Sequence, residues 1–305
     1  MTRFHDLSNK EPAMTSLKLW LLAIRPRTLP ACAGPVLTGT ALAMAHGGFR
    51  FVPFLCALLA SLLFQIGVNF ANDYFDAERG VDTEERLGPT RVTQSGLIPP
   101  ENVWAATKIT LALAGISVLV LVLYGGWPIF ALGVAAVLAA LAYSGGPYPL
   151  ASHGLADYAV FFFFGPAAVA GSYYAQAGQM SGAVLAASIP VGLLITAILQ
   201  VNNYRDMETD VKAGKRTMAV RLGRKWSLRY YTGLVAGSYL VPVLLWLDGP
   251  LSIWAGVLPL LSLPMAFRCI REMRTVTGSP LNDTLARTAK LSFIFSVFFA
   301  FGILI

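Results

Sequence analysis

Long apolar stretches recur along the whole chain, separated by short connections that contain glycine, proline or charged residues. A helix that crosses a bilayer needs roughly 20 apolar residues, with a lower limit of about 17. Buried strands would need much shorter runs or a strict apolar–polar alternation, and the runs here are too long and too evenly apolar for either. The pattern predicts an all-α, polytopic membrane protein with about nine transmembrane helices, at residues 29–46, 52–71, 103–123, 127–143, 158–176, 182–201, 230–247, 250–267 and 288–305.

Composition strengthens this prediction. Hydrophobic residues make up 56% of the chain and charged residues 13%, and the mean hydropathy is +0.62, whereas about a quarter of a soluble domain is charged. The first 28 residues contain Asp6 and Glu11 and lack a small-residue cleavage site, so they do not resemble a secretory signal. We expect residues 1–28 to form a cytoplasmic lead-in with an amphipathic interfacial segment, and residues 29–305 to form a single transmembrane domain.

The distribution of lysine and arginine predicts how the chain is oriented. Of these 23 residues, only Arg50 falls in a connection on the second side of the predicted bundle. The positive-inside rule therefore places the N-terminus and the long connections 72–102 and 202–229 in the cytoplasm. This orientation and a phosphate-bearing substrate account for the net charge of +7. Nucleic acid is not a predicted partner, because the aromatic residues lie inside spans and do not interleave with basic patches.

A cluster of amide and acidic residues closes the second predicted span: Asn69, Asn72, Asp73 and Asp76, followed by Asp82. On a helix, Asn72 and Asp76 share one face because they are four residues apart. Ionisable side chains at membrane depth are costly and usually mark a functional site. The alternative is a helix end that simply meets water.

A second cluster closes the sixth predicted span and contains Asn202, Asn203, Arg205, Asp206 and Asp210, followed by the cations Lys212, Lys215 and Arg216. Asp206 and Asp210 repeat the four-residue spacing of the first cluster. A few oxygen ligands suit Mg²⁺, which takes its remaining ligands from water and phosphate. The alternative is that the cations merely pair with neighbouring carboxylates.

The duplication of this cluster, four spans apart, predicts two related four-helix halves followed by a ninth helix. Membrane folds built from repeats often place the site between the halves. Two facing carboxylate sets can hold Mg²⁺ against a diphosphate while the cations neutralise its remaining charge. The candidate metal ligands are Asn72, Asp73, Asp76, Asp82, Asp206 and Asp210.

Two other cytoplasmic connections add candidates. Arg91 lies in a long glycine-containing loop, where it is either a third diphosphate contact or an interface arginine. Tyr143 and Tyr148 border a connection that also contains His153 and Asp157 but no lysine or arginine. These aromatic residues either anchor the interface, or bind an aromatic acid and take its phenolic proton.

Together these motifs resemble the UbiA superfamily of intramembrane aromatic prenyltransferases, and within it the branch that prenylates 1,4-dihydroxy-2-naphthoate in menaquinone biosynthesis. One departure concerns the first motif, which in the superfamily usually continues with an aspartate four residues after Asp76. Here that position is Gly80, and the next aspartate is Asp82. The resemblance is carried by residues 25–31, 72–76, 80–82, 94–97, 143–150, 154–155, 203–210, 214–223 and 281–282.

The resemblance implies an Mg²⁺-dependent enzyme of the bacterial cytoplasmic membrane. It implies transfer of a polyprenyl group from polyprenyl diphosphate to 1,4-dihydroxy-2-naphthoate, with loss of CO₂ and diphosphate, to give demethylmenaquinone. The implied catalytic residues are Asp76, Arg91, Asp206, Asp210 and Lys215. The implied substrate contacts are Asn72, Tyr143, Tyr148, Asn203, Arg205, Lys212 and Arg216.

Three alternatives remain at this point. The acceptor of the same reaction could be 4-hydroxybenzoate or homogentisate. A CDP-alcohol phosphotransferase would carry its aspartates in one continuous motif, which this chain lacks. A secondary transporter would also use intramembrane charge and a helical repeat, but its site is expected near the bilayer midplane, whereas these aspartates lie at helix ends on one side.

Overall fold

Helices form nearly all of the computed structural model, which describes residues 16–80 and 87–305, and no strand occurs in that part of the chain. The all-α prediction is therefore confirmed. A π-helical segment, Phe163–Ala170, joins α5 to α6, and a 3₁₀ segment, Leu258–Ser262, joins α10 to α11. The α-helices are α1 Ser16–Ile24, α2 Pro30–Ala45, α3 Phe51–Glu78, α4 Pro100–Ser144, α5 Ala156–Phe162, α6 Gly171–Ala177, α7 Gly182–Arg205, α8 Met207–Lys212, α9 Met218–Leu247, α10 Ile253–Val257, α11 Leu263–Thr275 and α12 Leu281–Leu304.

The long helix α4 turns back on itself at Gly126, whose φ of 61° and ψ of −150° are not helical. A Cβ atom added at Gly133 would lie 2.4 Å from Cγ1 of Val118. Fifteen residues of straight helix would hold these positions about 22 Å apart, so the two arms of α4 pack side by side. This hairpin agrees with the two predicted spans 103–123 and 127–143.

The number of spans stays a prediction. In the described residues, six helices are long and apolar enough to cross a membrane, or seven if α1 and α2, which meet at a bend of 48°, count as one broken span. The hairpin α4 is one of these six helices, and the interrupted helix from Ala156 to Ala177 is not among them. Pro166 lies inside the π-helical segment of that helix and has no N–H to donate.

The helices close into a ring because the first long helix contacts the last. Helix α2 packs against α3, α6, α7 and α12, and α12 in turn packs against α7 and α10. The inner side chains of α7 and α12, such as Leu194, Leu291 and Phe295, are fully buried. Large apolar side chains on the outside, such as Leu123 and Trp127, are exposed and form the surface that lipid would cover.

The lead-in helix α1 lies against the C-terminal half of α3. The rings of Trp20 and Phe70 meet edge to face, with centroids 5.6 Å apart. The side-chain amide of Asn69 donates to the carbonyl oxygen of Ile24 at 2.9 Å, which satisfies a carbonyl at the end of α1. Asn69 therefore holds the lead-in near the C-terminal end of α3.

Close helix packing makes Gly39 a sensitive position. A Cβ atom there would lie 2.3 Å from the carbonyl oxygen of Val169 and 2.9 Å from Cβ of Ser172. We expect Gly39→Ala to lower the free energy of unfolding by about 1–3 kcal/mol, the usual cost of overpacking, measured by thermal unfolding in detergent. The matched control is Gly115→Ala in α4, where an added Cβ meets no heavy atom within 4 Å. Equal melting temperatures for the two variants would contradict this packing.

Candidate functional site

A cavity of 780 Å³ lies inside the ring, between α2, α3, α4, α7 and α12. One end is polar and lies where α3 and α7 terminate. The remainder is largely apolar and runs between the membrane helices. The polar end includes Asn72, Asp76, Arg91, Asn202, Asn203, Arg205, Asp206, Asp210, Lys215, Thr217 and Asn282, and the apolar part includes Val36, Ala57, Phe64, Val118, Leu121, Ile129, Leu132, Ala136, Phe163, Phe164 and Ala167.

Asp76 connects the two predicted clusters. Its carboxylate is buried at the end of α3. Oδ2 accepts a hydrogen bond from Nη2 of Arg91 at 2.8 Å and lies 3.8 Å from Nζ of Lys215. Arg91 belongs to the loop that follows α3, and Lys215 follows α8. One carboxylate from the first cluster therefore meets a cation from each of the two polar loops.

Arg205 organises the second cluster. Its Nε and Nη2 donate to the two carboxylate oxygens of Asp206 at 2.8 and 2.5 Å. Nη2 also donates to Oδ1 of Asn202 at 2.8 Å, and Nη1 donates to Oδ1 of Asn282 at 2.6 Å. The planar guanidinium matches this arrangement of oxygen acceptors, and it joins the end of α7 to the start of α12.

Asp210, on the short helix α8, is the third acid at this end of the cavity. Burial raises its pKa to about 6, and the negative charges of Asp206 and Asp76 act in the same direction, while Lys215 opposes them. Three carboxylates thus share one electrostatic environment with the cations Arg91, Arg205 and Lys215. Arg25 and Arg27 also line the cavity, so cationic side chains outnumber acidic ones on its described wall, which favours an anionic ligand.

The loop that carries Arg91 is fixed at two points. Asp73 accepts hydrogen bonds from the backbone N–H groups of Val92 at 3.0 Å and Thr93 at 2.9 Å. At the start of the loop, the side-chain amide of Asn282 donates to the carbonyl oxygen of Leu87 at 2.9 Å. Asp73 does not line the cavity, so its visible contribution is to hold Arg91 beside Asp76.

Comparison with known proteins identifies the group to which these features belong. Residues 32–301 match the UbiA prenyltransferase family. The chain belongs to this family. The 1,4-dihydroxy-2-naphthoate octaprenyltransferase of Escherichia coli is 37% identical, covering 96% of this chain and 97% of its own. The protein of the same name from Mycobacterium tuberculosis is 38% identical, covering 87% and 89%.

The fold is also that of solved UbiA structures. A UbiA homolog from Archaeoglobus fulgidus bound to DMAPP and Mg²⁺ has a TM-score of 0.66 with 17% sequence identity, covering 93% of this chain and 98% of that chain. Fold and sequence therefore agree on a multi-pass membrane protein of the UbiA family.

Most of the site residues predicted from the sequence line the cavity of this UbiA member. They are Asn72, Asp76, Arg91, Tyr143, Asn203, Arg205, Asp206, Asp210 and Lys215. Asn72 is further oriented by Ser144, whose hydroxyl donates to its Oδ1 at 2.6 Å.

Four predicted residues lie away from the cavity lining: Asp73, Lys212, Arg216 and Tyr148. The side chains of Lys212 and Arg216 are exposed, and the backbone N–H of Arg216 donates to the carbonyl oxygen of Ser152 at 2.8 Å. The exposed ring of Tyr148 stacks on His153 with centroids 3.6 Å apart. Asp82 lies outside the described residues.

Asn202 and Asn282 are site residues to which the sequence assigned no role. Asn202 stands in the second cluster, and its pairing with Arg205 becomes visible only when the end of α7 is folded. Asn282 lies 77 residues beyond Arg205 in sequence, so no local spacing connects them. The pair Leu281–Asn282 was, however, among the segments that carry the UbiA resemblance.

The donor set suits Mg²⁺. Among the described residues, no three carboxylate, histidine or cysteine side chains converge to form a ready-made chelate. Mg²⁺ does not need one, because it is commonly held by one or two carboxylates together with water and substrate phosphates. Asp206 and Asp210 provide carboxylates, and Asn72 and Asn203 provide amide oxygens, all on the wall of one cavity.

The anchoring of the Arg91 loop can be tested by amide hydrogen exchange. Asp73→Asn replaces one acceptor oxygen with an NH₂ group, so one of the two backbone N–H groups loses its partner. A lost hydrogen bond to a charged acceptor is worth about 1.5–3 kcal/mol. We therefore expect exchange at Val92 and Thr93 to become roughly ten- to hundredfold faster. Asp248→Asn, in an exposed connection on the other side, is the control and should leave this exchange unchanged. Unchanged protection in the Asp73 variant would disprove the anchor.

Proposed function

We propose that this UbiA family member transfers a polyprenyl group from polyprenyl diphosphate to 1,4-dihydroxy-2-naphthoate, giving demethylmenaquinone. The main support is the cavity, in which a cluster of carboxylates and cations opens directly into a long apolar space. That combination suits a molecule with a diphosphate head and a hydrocarbon tail. The names of the E. coli and M. tuberculosis relatives favour the naphthoate acceptor.

The diphosphate binds at the polar end. Arg91, Arg205 and Lys215 lie beside the carboxylates on the cavity wall, and Arg25 and Arg27 also line the cavity. Guanidinium groups pair well with phosphate oxygens. Mg²⁺, when bound to Asp76, Asp206, Asp210 and the amides of Asn72 and Asn203, would neutralise charge on the departing diphosphate. Stabilisation of that leaving anion by fixed charges is the main catalytic contribution of these side chains.

The prenyl tail occupies the apolar part of the cavity. Its walls are formed by aliphatic and aromatic side chains of α2, α3, α4 and the interrupted helix 156–177. This described lining is mostly apolar and offers few hydrogen-bonding partners for water. Exclusion of water protects a reactive carbocation from hydrolysis, so that the aromatic ring is the nucleophile that reaches it.

The reaction joins the allylic carbon of the prenyl diphosphate to a ring carbon of the naphthoate. The allylic C–O bond breaks and its electron pair leaves with the diphosphate. The electron-rich ring then forms a C–C bond to the allylic carbon at the position that bears the carboxylate. Loss of CO₂, whose C–C bond electrons return to the ring, restores aromaticity. The reaction takes place at the cytoplasmic face of the bacterial inner membrane, with the N-terminus in the cytoplasm, because the basic connections lie on that side.

The direct test uses purified protein, Mg²⁺, a polyprenyl diphosphate and dihydroxynaphthoate, with the product identified by mass spectrometry. We expect prenylated naphthoquinol from the wild type, and little product when 4-hydroxybenzoate or homogentisate replaces the naphthoate. Asp206→Asn should lower kcat at least about 100-fold, as removal of a charge-stabilising group typically does, whereas Asp248→Asn should not. A well-folded wild-type protein that forms no prenylated naphthoate would refute the function.

The raised pKa of Asp210 predicts how Mg²⁺ binding depends on pH. The protonated acid must lose its proton before it binds the metal. With a pKa of about 6, the apparent Mg²⁺ affinity should be nearly constant above pH 7 and fall about tenfold by pH 5. Isothermal titration of Mg²⁺ in the presence of diphosphate measures this directly. Asp210→Asn should remove the step near pH 6, and a step that persists in this variant would assign it to another group.

A further inference from the structure

Asp157, a charged residue outside the diphosphate cluster, is deeply buried. It lies in the first turn of α5, is 2% exposed, and neither carboxylate oxygen has a hydrogen-bond partner among the described residues. Burying an unpaired polar group costs free energy, and such a group in a native structure calls for an explanation. A carboxylate near the start of a helix gains some stability from the helix dipole, but this does not require that its oxygens be hidden from water.

Tyrosines surround this carboxylate. The side chains of Tyr143 on α4 and Tyr230 on α9 interact electrostatically with it, and Tyr158 is the next residue on its own helix. Tyr230 is close enough to interact with the carboxylate, yet it does not reach hydrogen-bond geometry. No ion pair to Asp157 occurs in the described part of the chain. The carboxylate thus faces phenolic hydroxyls and is separate from the arginines that bind Asp76 and Asp206.

Tyr143 connects this buried acid to the reaction space. It lines the cavity, whereas Asp157 does not. Within the described residues, its hydroxyl has no protein hydrogen-bond partner, and because Tyr143 lines the cavity we assign this hydroxyl to a partner hydroxyl group in the cavity. It also lies within electrostatic reach of Asp76, Arg25 and Arg91, which places it near the head of the prenyl substrate.

We propose that Asp157 is a positioning residue that accepts, through Tyr143, the proton of an acceptor ring hydroxyl. This inference rests on the proposed function. The ring O–H gives its proton to the Tyr143 oxygen while Tyr143 gives its own proton to Asp157 through one water. The allylic C–O bond breaks, diphosphate leaves with its electron pair, and the phenolate ring carbon that bears the carboxylate then forms a C–C bond to the allylic carbon. When the C–CO₂ bond breaks, its electrons return to the ring oxygen, and that oxygen recovers the proton by the reverse route.

The test compares Asp157→Asn with the wild type in the prenylation assay. The amide has the same shape but cannot accept the proton, and general-base catalysis typically contributes about 10²–10⁴-fold. We expect kcat to fall by at least about 100-fold with little change in KM for the prenyl diphosphate. The melting temperature should stay equal or rise, because the variant no longer buries a charge. As pH rises to about 9 the variant should recover, since the phenol begins to ionise unaided, while the wild type should not.

Tyr143→Phe supplies a second variant. If both residues act in one proton path, the double variant should be no slower than the slower single variant. Tyr158→Phe is the control, because its side chain is exposed beside Asp157, and it should retain wild-type kcat. A purely structural role would instead give an Asp157→Asn variant that melts lower and keeps the wild-type pH profile. That result, or a kcat within threefold of wild type, overturns the proposal. Failure of the wild type itself to prenylate would refute the proposed function instead.

Discussion

The buried carboxylate of Asp76 is the point at which the two halves of the site depend on each other. An acid at the end of a membrane helix needs a counter-charge, because desolvation of an unpaired carboxylate costs several kcal/mol. Two cations from different loops supply it here, Arg91 at 2.8 Å and Lys215 at 3.8 Å. This pairing requires the C-terminal ends of α3 and α8 to converge. It therefore sets the position of both polar loops over one end of the cavity.

The hydrogen bonds around the site hold the loops in place more than they hold the carboxylates of the cavity. Asp73 binds two backbone N–H groups beside Arg91, and Asn282 binds both Arg205 and the carbonyl of Leu87. Helix α12 thus connects the second cluster to the loop of the first. Because α12 also packs along α2 and α7, the geometry of the polar end is determined by the same contacts that close the helical ring.

Much of this arrangement could be predicted from sequence because it depends on local spacing. Asn72 and Asp76 are one helical turn apart, as are Asp206 and Asp210, and both pairs are bounded by long apolar runs. The turn of α4 at Gly126 was likewise marked by two adjacent glycines. Asp73 anchors the loop that carries Arg91 and does not line the cavity, and this role was not predictable from spacing. Residues 72 and 73 are neighbours with similar chemistry, and only the fold of the loop at Val92 determines which of them faces the cavity. Asn282 was missed for a related reason, since its partners are distant in sequence.

In the proposed reaction, the pairing of Asp76 and Asp206 with cationic side chains has a consequence for how a metal and a diphosphate bind at the polar end. A diphosphate that arrives alone must take Arg91 and Lys215 from Asp76, and a metal that arrives alone must take Asp206 from Arg205. Either exchange leaves a buried charge without its partner, which is the costly case for an ion pair. When metal and diphosphate arrive together, each carboxylate exchanges a cationic side chain for the metal, and each released cation meets a phosphate oxygen. Charge balance is then preserved throughout, so the two ligands favour each other's binding. The same balance explains why a proton acceptor for the aromatic ring is better placed outside the cluster, where its charge does not compete for these cations.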